Sequence, residues 1–217
     1  MINLAPNCLF LGSREIGSSL YFKVNPEISC ASSKVKNFKD VPGFTLKYRE
    51  DPIFLDPRNK RLGARLIINL EKLYLSLKKL NLKDADLKDY YSLSHRLGIV
   101  PKDLNKLQNK LFGIECNYEE LNGIDFQKGC YVGQENTARI KLKNKLSKRL
   151  FPINLVNGKL YEGDSIFNKD VEVGKVLIDN EYPFALIKYL DKNFQENTEF
   201  KTKEASISIK KPYWISE

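Results

Sequence analysis

One short segment of the sequence gathers residue types that could do chemistry at a single point. Residues 128–135 read KGCYVGQE, so Cys130 lies between two glycines, with Lys128 two positions before it. If Lys128 and Cys130 are both extended, their side chains share a face, and the ammonium group stabilises a thiolate. A helix that starts at Gln134, with Glu135 in its favourable first turn, would bring its positive end to the same point. The segment therefore predicts a thiol that can act as a nucleophile or as a metal ligand.

An isolated cysteine also has a simpler interpretation. Cys130 would then be a small hydrophobic residue buried behind a glycine-rich turn, as we expect for Cys8, Cys30 and Cys116. The four cysteines contain no C-x-x-C pair, and His95 is the single histidine. We therefore expect no permanently bound metal, no disulfide framework and no catalytic triad, and a structural or surface role for His95.

The net charge of +9 leaves two interpretations open, diffuse surface charge and an anionic partner. Most of the 36 basic residues are lysines, in a chain that is also rich in Asn, Ile and Leu, as AT-rich coding sequences produce. We therefore expect diffuse charge and no direct nucleic-acid binding. The densest basic run, residues 139–149, fits a half-exposed strand as well as it fits a phosphate-binding strip. The apolar runs are too short to cross a bilayer, which predicts a soluble protein without a membrane partner.

The first part of the chain must supply a framework for the cysteine segment. Alternating apolar residues separated by turn signals predict strands, then a helix. We interpret the turn that begins at Asp56 as ion-paired rather than as an active site. The predicted strands are residues 8–11, 20–22, 44–48 and 64–69, the turn is Asp56-Pro57-Arg58-Asn59, and the helix is residues 70–79.

The residues before the cysteine segment predict two helices and a strand. A strand that leads into the segment, and a helix that follows it, would place Cys130 at a tight corner that Gly129 and Gly133 permit. Capping residues and leucines at helical spacing mark the two upstream helices. These helices run from a cap at Asp84 or Asp86 to Gly98 and from about Pro101 to Gly113, and the strand is residues 121–126.

The C-terminal third of the chain has a different pattern. Short β-rich runs alternate with Asn-Gly and similar turn signals, as in a small antiparallel barrel. We place a domain boundary near residues 144–150, which divides the chain into domains of residues 1–145 and 146–217. The predicted strands are residues 150–156, 164–167, 171–178, 184–190 and 205–210.

The cysteine segment and its flanks resemble a known family signature. KGCYVGQE at 128–135, with LNGIDF before it at 121–126 and KRLFPI after it at 148–153, closely resembles the signature of the YgfZ family. This family is the folate-binding branch of the GcvT-like aminomethyltransferase superfamily and includes the mitochondrial iron–sulfur assembly factors. LDPRNKRLGAR at 55–65 and YYSLSHRLGIVP at 90–101 are similar to two further segments of the family.

The resemblance implies an α+β fold in which a GcvT/YgfZ-like folate-binding platform of mixed sheets and helices (residues 1–145) precedes a C-terminal antiparallel β-barrel (residues 146–217). It implies tetrahydrofolate as a ligand, and iron–sulfur assembly or client proteins as partners. The implied role is accessory, in assembly or repair of 4Fe–4S proteins, with an indirect effect on tRNA modification. The family's opening segment has no match in residues 1–45, so we expect a short or divergent N-terminal part. The expected location is the bacterial cytoplasm, or the mitochondrial matrix of a eukaryote.

Carried over to this sequence, the functional thiol of the family is Cys130, which could also be a transient metal ligand. Glu115 stands where many relatives have the acid of a P-x-E element, which implies contact with the pterin ring, although Ile114 and Cys116 depart from that element. The implied cofactor-binding residues are Lys128, Tyr131, Gln134, Glu135 and Glu115.

Two other functions are left open. One is a folate-dependent aminomethyl or one-carbon transferase, which needs a carboxylate placed against the folate and the substrate amine. The other is a basic RNA-associated module, whose affinity would fall steeply as the salt concentration rises. Because the sequence contains no acid–base constellation, we favour the accessory factor over an enzyme.

Overall fold

The structure is a computed structural model, and it describes residues 8–10, 19–22, 45–48, 51–67, 83–127, 129, 134–142, 146–189 and 198–215. The chain divides into two compact units, Met1–Tyr90 and Tyr91–Glu217. The predicted domain boundary near residues 144–150 stays a prediction. Among the described residues, no helix combines the length and apolar character needed to cross a bilayer.

The first unit contains a six-stranded mixed sheet, which confirms the mixed sheet of the predicted α+β fold. The strand order is β3-β4-β5-β2-β1-β6, and β1 pairs with β6 in parallel while the other neighbours are antiparallel. A role for this sheet in folate binding stays a prediction. The strands are β1 (Cys8–Phe10), β2 (Ser19–Phe22), β3 (Thr45–Tyr48), β4 (Asp51–Leu55), β5 (Ala64–Ile67) and β6 (Lys83–Ala85).

The strands predicted at residues 8–11, 20–22, 44–48 and 64–69 are confirmed where the structure describes them, whereas β4 and β6 were not predicted. Strand β4 contains Pro52, a residue that usually argues against a strand. Pro52 lies opposite Lys47 of β3, and pairing with β5 begins only at Ile53, so the proline keeps one unpaired side. The predicted helix at residues 70–79 lies outside the described residues.

The predicted ion-paired turn after β4 is confirmed. Asp56 is 3% exposed, and its two carboxylate oxygens accept hydrogen bonds from Arg58 Nε at 3.1 Å and Arg58 Nη2 at 2.9 Å. Arg65 Nε donates to the same carboxylate at 3.0 Å, and Arg58 Nη2 also donates to the Tyr90 hydroxyl at 2.8 Å. Burial alone would raise the pKa of Asp56, but the Arg58 hydrogen bond and the charges of both arginines outweigh it and lower the pKa.

Helix α1 (Leu87–Arg96) begins and ends as the capping residues predict. Its start is capped by Asp86 rather than Asp84, since Asp86 Oδ1 accepts the Lys88 N–H at 2.9 Å. At its end, Ile99 N–H donates to Ser94 O at 2.9 Å and Gly98 N–H donates to His95 O at 2.8 Å. These two bonds form a Schellman motif, which needs the left-handed backbone of Gly98, with φ of 75°.

The prediction of a helix from Pro101 to Gly113 is wrong. The structure has a short 3-10 helix at Leu104–Leu107, followed by consecutive turns that extend to residue 122. Left-handed backbone angles interrupt the helical path, and Asn and Asp adopt them at low cost. The predicted strand at 121–126 is also wrong, because this stretch leaves a turn and has no strand pairing. The left-handed residues are Asp103, Asn109, Asn117 and Asn122.

Helix α2 (Gln134–Leu142) follows the cysteine segment and confirms the helix predicted from Gln134. It includes the first part of the basic run 139–149, for which the sequence predicts either a half-exposed strand or a phosphate-binding strip. Within this run, residues 139–142 are helical, and Arg149 begins strand β7.

The predicted antiparallel barrel is confirmed as a closed, six-stranded barrel of order β10-β7-β12-β11-β8-β9. The long strand β7 (Arg149–Gly158) pairs with β10 through its first residues and with β12 from Ile153 onward. Apolar side chains such as Phe151 and Phe200 fill the barrel core and are fully buried. The other strands are β8 (Ser165–Asn168), β9 (Val171–Ile178), β10 (Phe184–Ile187), β11 (Glu199–Lys201) and β12 (Ala205–Ile209).

Candidate functional site

The structure describes residues on both sides of the predicted thiol, Cys130. Lys128, Cys130 and Tyr131 lie outside the described residues, so their roles stay predictions. Gly129 is exposed, and a Cβ atom added there would meet no described atom within 4 Å. Among the residues that the structure describes, Gly129 thus has no close neighbour on its Cβ side.

The helix on the far side of the segment has the predicted polarity. Gln134 begins α2, and Glu135 lies in its first turn, exposed and ion-paired with Arg139 one turn later. An acidic residue in the first turn and a basic residue in the last complement the helix dipole. The N-terminal end of α2 is four residues from Cys130 along the sequence, and its effect on the thiol stays a prediction.

Glu115, the predicted pterin contact, accepts hydrogen bonds from two backbone N–H groups. Its Oε2 atom accepts the Phe112 N–H at 2.9 Å, and its backbone oxygen accepts the Leu150 N–H at 2.9 Å. Contact with a pterin stays a prediction. The second bond joins the turn-rich segment to the start of β7.

A cleft of about 290 Å³ opens in the second unit, beside the last turn of α2. Its lining comes from that turn, from the turn-rich segment before the cysteine and from the first residue of β7, among others. The lining residues are Ile114, Glu119, Ile140, Lys141, Leu146, Arg149 and Tyr189.

Arg149 is the most buried charged residue of this cleft, with 11% of its side chain exposed. Its Nη1 atom donates to Asn117 Oδ1 at 3.0 Å and forms an ion pair with Glu120 Oε1. The guanidinium carbon lies 5.4 Å from the centre of the Tyr189 ring. Arg149 Nε and Glu120 Oε2 are both buried, and neither has a hydrogen-bond partner among the residues that the structure describes.

Asn117 holds this arginine in position. The residue is 1% exposed and left-handed, with φ of 61°. Its side-chain amide donates to Leu150 O at 2.8 Å while its oxygen accepts from Arg149. Asparagine combines tolerance of a left-handed backbone with one donor and one acceptor group, which is what this position uses.

Lys141 closes the cleft from the helix side. Its ammonium group pairs with Glu119 and lies 4.0 Å from the centre of the Phe126 ring. Both members of the ion pair are partly exposed, so the pair opens at little cost. Sequence reasoning missed Lys141, Arg149 and Asn117 as a group, because they come together only in three dimensions.

Cys116 shows what a structural thiol looks like in this chain. It is buried in an apolar cluster with Leu107, Leu150 and Phe184. Burial, with a smaller contribution from the charge of Glu115, raises the pKa of Cys116 to about 12. The thiol is protonated at neutral pH, which confirms its predicted structural role.

His95 also has the predicted structural role. Its Nε2 atom forms a hydrogen bond with Pro183 O at 3.0 Å, and its ring meets the Phe184 ring edge to face, with centroids 5.2 Å apart. Burial lowers the pKa of His95 more than its backbone hydrogen bonds raise it. In the described part of the chain, no group of three or more His, Cys, Asp or Glu residues could hold a metal ion.

No family model matches the chain. Known proteins are similar to it over part of their length, among them several named iron–sulfur cluster assembly factor IBA57 or its homolog, mitochondrial. The Dictyostelium discoideum protein is 29% identical over 120 residues, which cover 55% of this chain and 29% of the relative. The human protein is 36% identical over 103 residues (47% and 28%), and the Yarrowia lipolytica protein is 24% identical over 185 residues (78% and 38%).

The chain therefore matches less than two fifths of the length of these relatives. Their names confirm the resemblance inferred from the cysteine segment, including its mitochondrial branch.

Proposed function

We propose that this chain is an accessory factor in iron–sulfur cluster assembly and works with other assembly proteins. The observation that carries the proposal is the similarity of about half of the chain to relatives named iron–sulfur cluster assembly factors. The likeness of the KGCYVGQE segment to the family signature is in line with it. Since those relatives are named mitochondrial, the proposed location in a eukaryote is the mitochondrial matrix.

Within this proposal, Cys130 is the functional thiol, acting as a transient ligand or redox partner. Gln134 begins a helix four residues later, and helix N-termini lower thiol pKa values. Gly129, next to Cys130, is exposed, which is compatible with access of a partner protein or a cluster to the segment. Cys116 is the opposite case, since its raised pKa and burial keep its sulfur protonated.

Tetrahydrofolate is the second part of the proposal, with Lys128, Tyr131, Gln134, Glu135 and Glu115 as its contacts. The support is the likeness of the sequence to the folate-binding family. Titration of the purified chain with tetrahydrofolate tests this part by itself, and saturable binding that Glu115→Ala weakens is expected. Saturable binding at native affinity by that variant would remove Glu115 from the site.

The cysteine is tested in cells that lack their own factor, by complementation with matched cysteine variants. The native chain and Cys116→Ala should both restore the activity of 4Fe–4S enzymes, including those that modify tRNA, whereas Cys130→Ala should not. Cys116→Ala is the control because it removes a thiol that burial already makes inert. Full activity with Cys130→Ala at native expression would reject the thiol role.

A further inference from the structure

The stretches of chain before and after the cysteine segment are bonded to each other at one place, which we call the anchor. Leu150 N–H donates to Glu115 O at 2.9 Å, and the side-chain amide of Asn117 donates to Leu150 O at 2.8 Å. Arg149 Nη1 donates to Asn117 Oδ1 at 3.0 Å and also pairs with Glu120. Both groups of the Asn117 amide are therefore used. The anchor consists of Glu115, Asn117, Glu120, Arg149 and Leu150.

Asn117 takes the place of a strand residue at the anchor. Leu150 lies in β7, opposite Leu186 of β10, and both backbone groups of Leu150 bond to residues 115–117. The Asn117 amide supplies the donor that a backbone N–H would supply in a sheet, and its oxygen accepts from Arg149. Because Asn117 is 1% exposed, water cannot replace these bonds. Loss of this side chain would therefore loosen both stretches.

The chain between the two sides of the anchor carries the proposed functional thiol. Residues 121–148 leave one side and return to the other, and they include Cys130 and helix α2. A segment of this length with free ends samples many conformations, and joining its ends removes part of that freedom. The last turn of α2 is also tied to the first side, since Lys141 pairs with Glu119. The anchor therefore restricts how α2 can move.

We propose that Asn117 is a positioning residue for the cysteine segment, acting through Leu150 and Arg149. This inference rests on the proposed function of Cys130. It adds that the anchor holds the ends of residues 121–148, so that the cysteine segment and the N-terminal end of α2 keep one arrangement. The electrostatic effect of a helix end falls off within its first turn, so a thiol is activated only while it stays close. Release of the anchor should therefore raise the pKa of Cys130.

The chain offers a matched pair of asparagines for the test. Asn117→Gly removes both side-chain bonds, and glycine keeps the left-handed backbone, with φ of 61°. Asn109→Gly is the control, because Asn109 has φ of 60°, is exposed and lies outside the anchor. Asn117→Asp is a milder variant that keeps the acceptor for Arg149 and places an oxygen where the donor to Leu150 O was.

Hydrogen–deuterium exchange of the full chain, followed by mass spectrometry, tests the anchor by itself. In Asn117→Gly the amides of α2 should exchange at least about tenfold faster than in the native chain, because lost hydrogen bonds ease local opening. Asn117→Asp should give a smaller increase, and Asn109→Gly none. The amides of strand β12 should change less than those of α2, which separates local release from a loss of global stability.

The pH dependence of alkylation by iodoacetamide tests the effect on the thiol. Trypsin cleaves after Lys128 and Arg139, so the peptide of residues 129–139 reports Cys130 alone. The native midpoint should lie below the ordinary thiol value of about 8.5, and Asn117→Gly should move it towards that value. Asn109→Gly should keep the native midpoint. A change in stability alone does not move this midpoint while the chain stays folded.

The two measurements distinguish failure of this inference from failure of the proposed thiol function. The inference is overturned if Asn117→Gly exchanges in α2 as Asn109→Gly does. It is also overturned if the native midpoint is low and stays low in Asn117→Gly. If the native midpoint is ordinary but Asn117→Gly still speeds exchange in α2, Asn117 does position the segment, and the activated thiol is the part that fails.

Discussion

Arg58 and Arg149 are each paired with a carboxylate, but the two arginines use different parts of their guanidinium groups. Arg58 gives its Nε–Nη2 edge to both oxygens of Asp56 and shares Nη2 with the Tyr90 hydroxyl. Arg149 bonds through Nη1, and its buried Nε has no partner among the described residues. The first arrangement pairs the whole Nε–Nη2 edge, whereas the second leaves a buried Nε donor unpaired among the described residues.

The difference separates a fully paired ion cluster from one that contains buried polar atoms without a partner among the described residues. The Asp56 cluster holds the turn between β4 and β5, and Asp56 N–H also donates to Gly63 O at 2.8 Å. It thus stabilises the fold and has little capacity left for a ligand. Arg149 lines a cleft, and Asn117 holds its guanidinium group in position through Nη1.

Removing the carboxylate of the complete cluster should have the largest effect. Asp56→Ala leaves Arg58 and Arg65 with partly buried positive charges and no shared acceptor. We expect a loss of about 3 kcal/mol in the free energy of unfolding, measured by urea denaturation. Asp170→Ala, at an exposed position, should change it by less than about 0.5 kcal/mol. A loss below about 1 kcal/mol for Asp56→Ala would contradict a structural role.

Acid should weaken the same cluster, by less than removal of the carboxylate does. The pKa of Asp56 is lower in the folded chain than in the unfolded chain, so the unfolded chain takes up this proton first as the pH falls. The stabilisation is present above about pH 4, the ordinary aspartate value, and is lost as the pH falls towards the folded pKa. Urea denaturation between about pH 5 and 2 should show a shallower loss for Asp56→Asn. Equal slopes for the variant and the native chain would contradict this.

The incomplete cluster should be less costly to break. Arg149→Met removes the partner of Glu120 and should cost about 2 kcal/mol, and neutralising that carboxylate with Glu120→Gln should recover part of the loss. In a double-mutant cycle, the two changes together should cost about 1 kcal/mol less than their sum. Strict additivity would show that Glu120 and Arg149 do not stabilise each other.

The exposed pair at the mouth of the cleft should have the smallest effect. Lys141→Ala removes the ion pair with Glu119 and the contact with the Phe126 ring, both at a partly exposed position. We expect a change of about 0.5 kcal/mol or less in the free energy of unfolding, which shrinks further at about 1 M salt. A loss as large as that of Arg149→Met would mean that Lys141 is part of the buried cluster.

The barrel could be predicted from the sequence because short β-rich runs are separated by turn signals. In strand β12 the residues also alternate between core and surface, with Ala205, Ile207 and Ile209 buried and the two serines between them partly exposed. Strand β11 was missed since only Phe200, at the centre of three residues, points into the core. The prediction of a helix from Pro101 was wrong although the leucines have helical spacing. Asp103 and Asn109 adopt left-handed backbone angles, which interrupt a helix.

Of the candidate site, one part could be predicted from the sequence and another could not. The helix after Cys130 followed from local signals, namely Gln134 at its start and Glu135 in the first turn. The cleft did not, because Asn117 and Arg149 are separated by 32 positions and meet through a side-chain hydrogen bond. The residue types alone do not show which edge of an arginine is occupied.

The end of α1 also provides an optical reporter. Trp214 is the single tryptophan of the chain, and its indole N–H donates to Leu97 O at 2.6 Å, beside the contact of Pro212 with Gly98. Release of this C-terminal segment would expose the indole to water, and its emission would shift to longer wavelength. Fluorescence of the unlabelled protein thus records detachment of the final residues from α1.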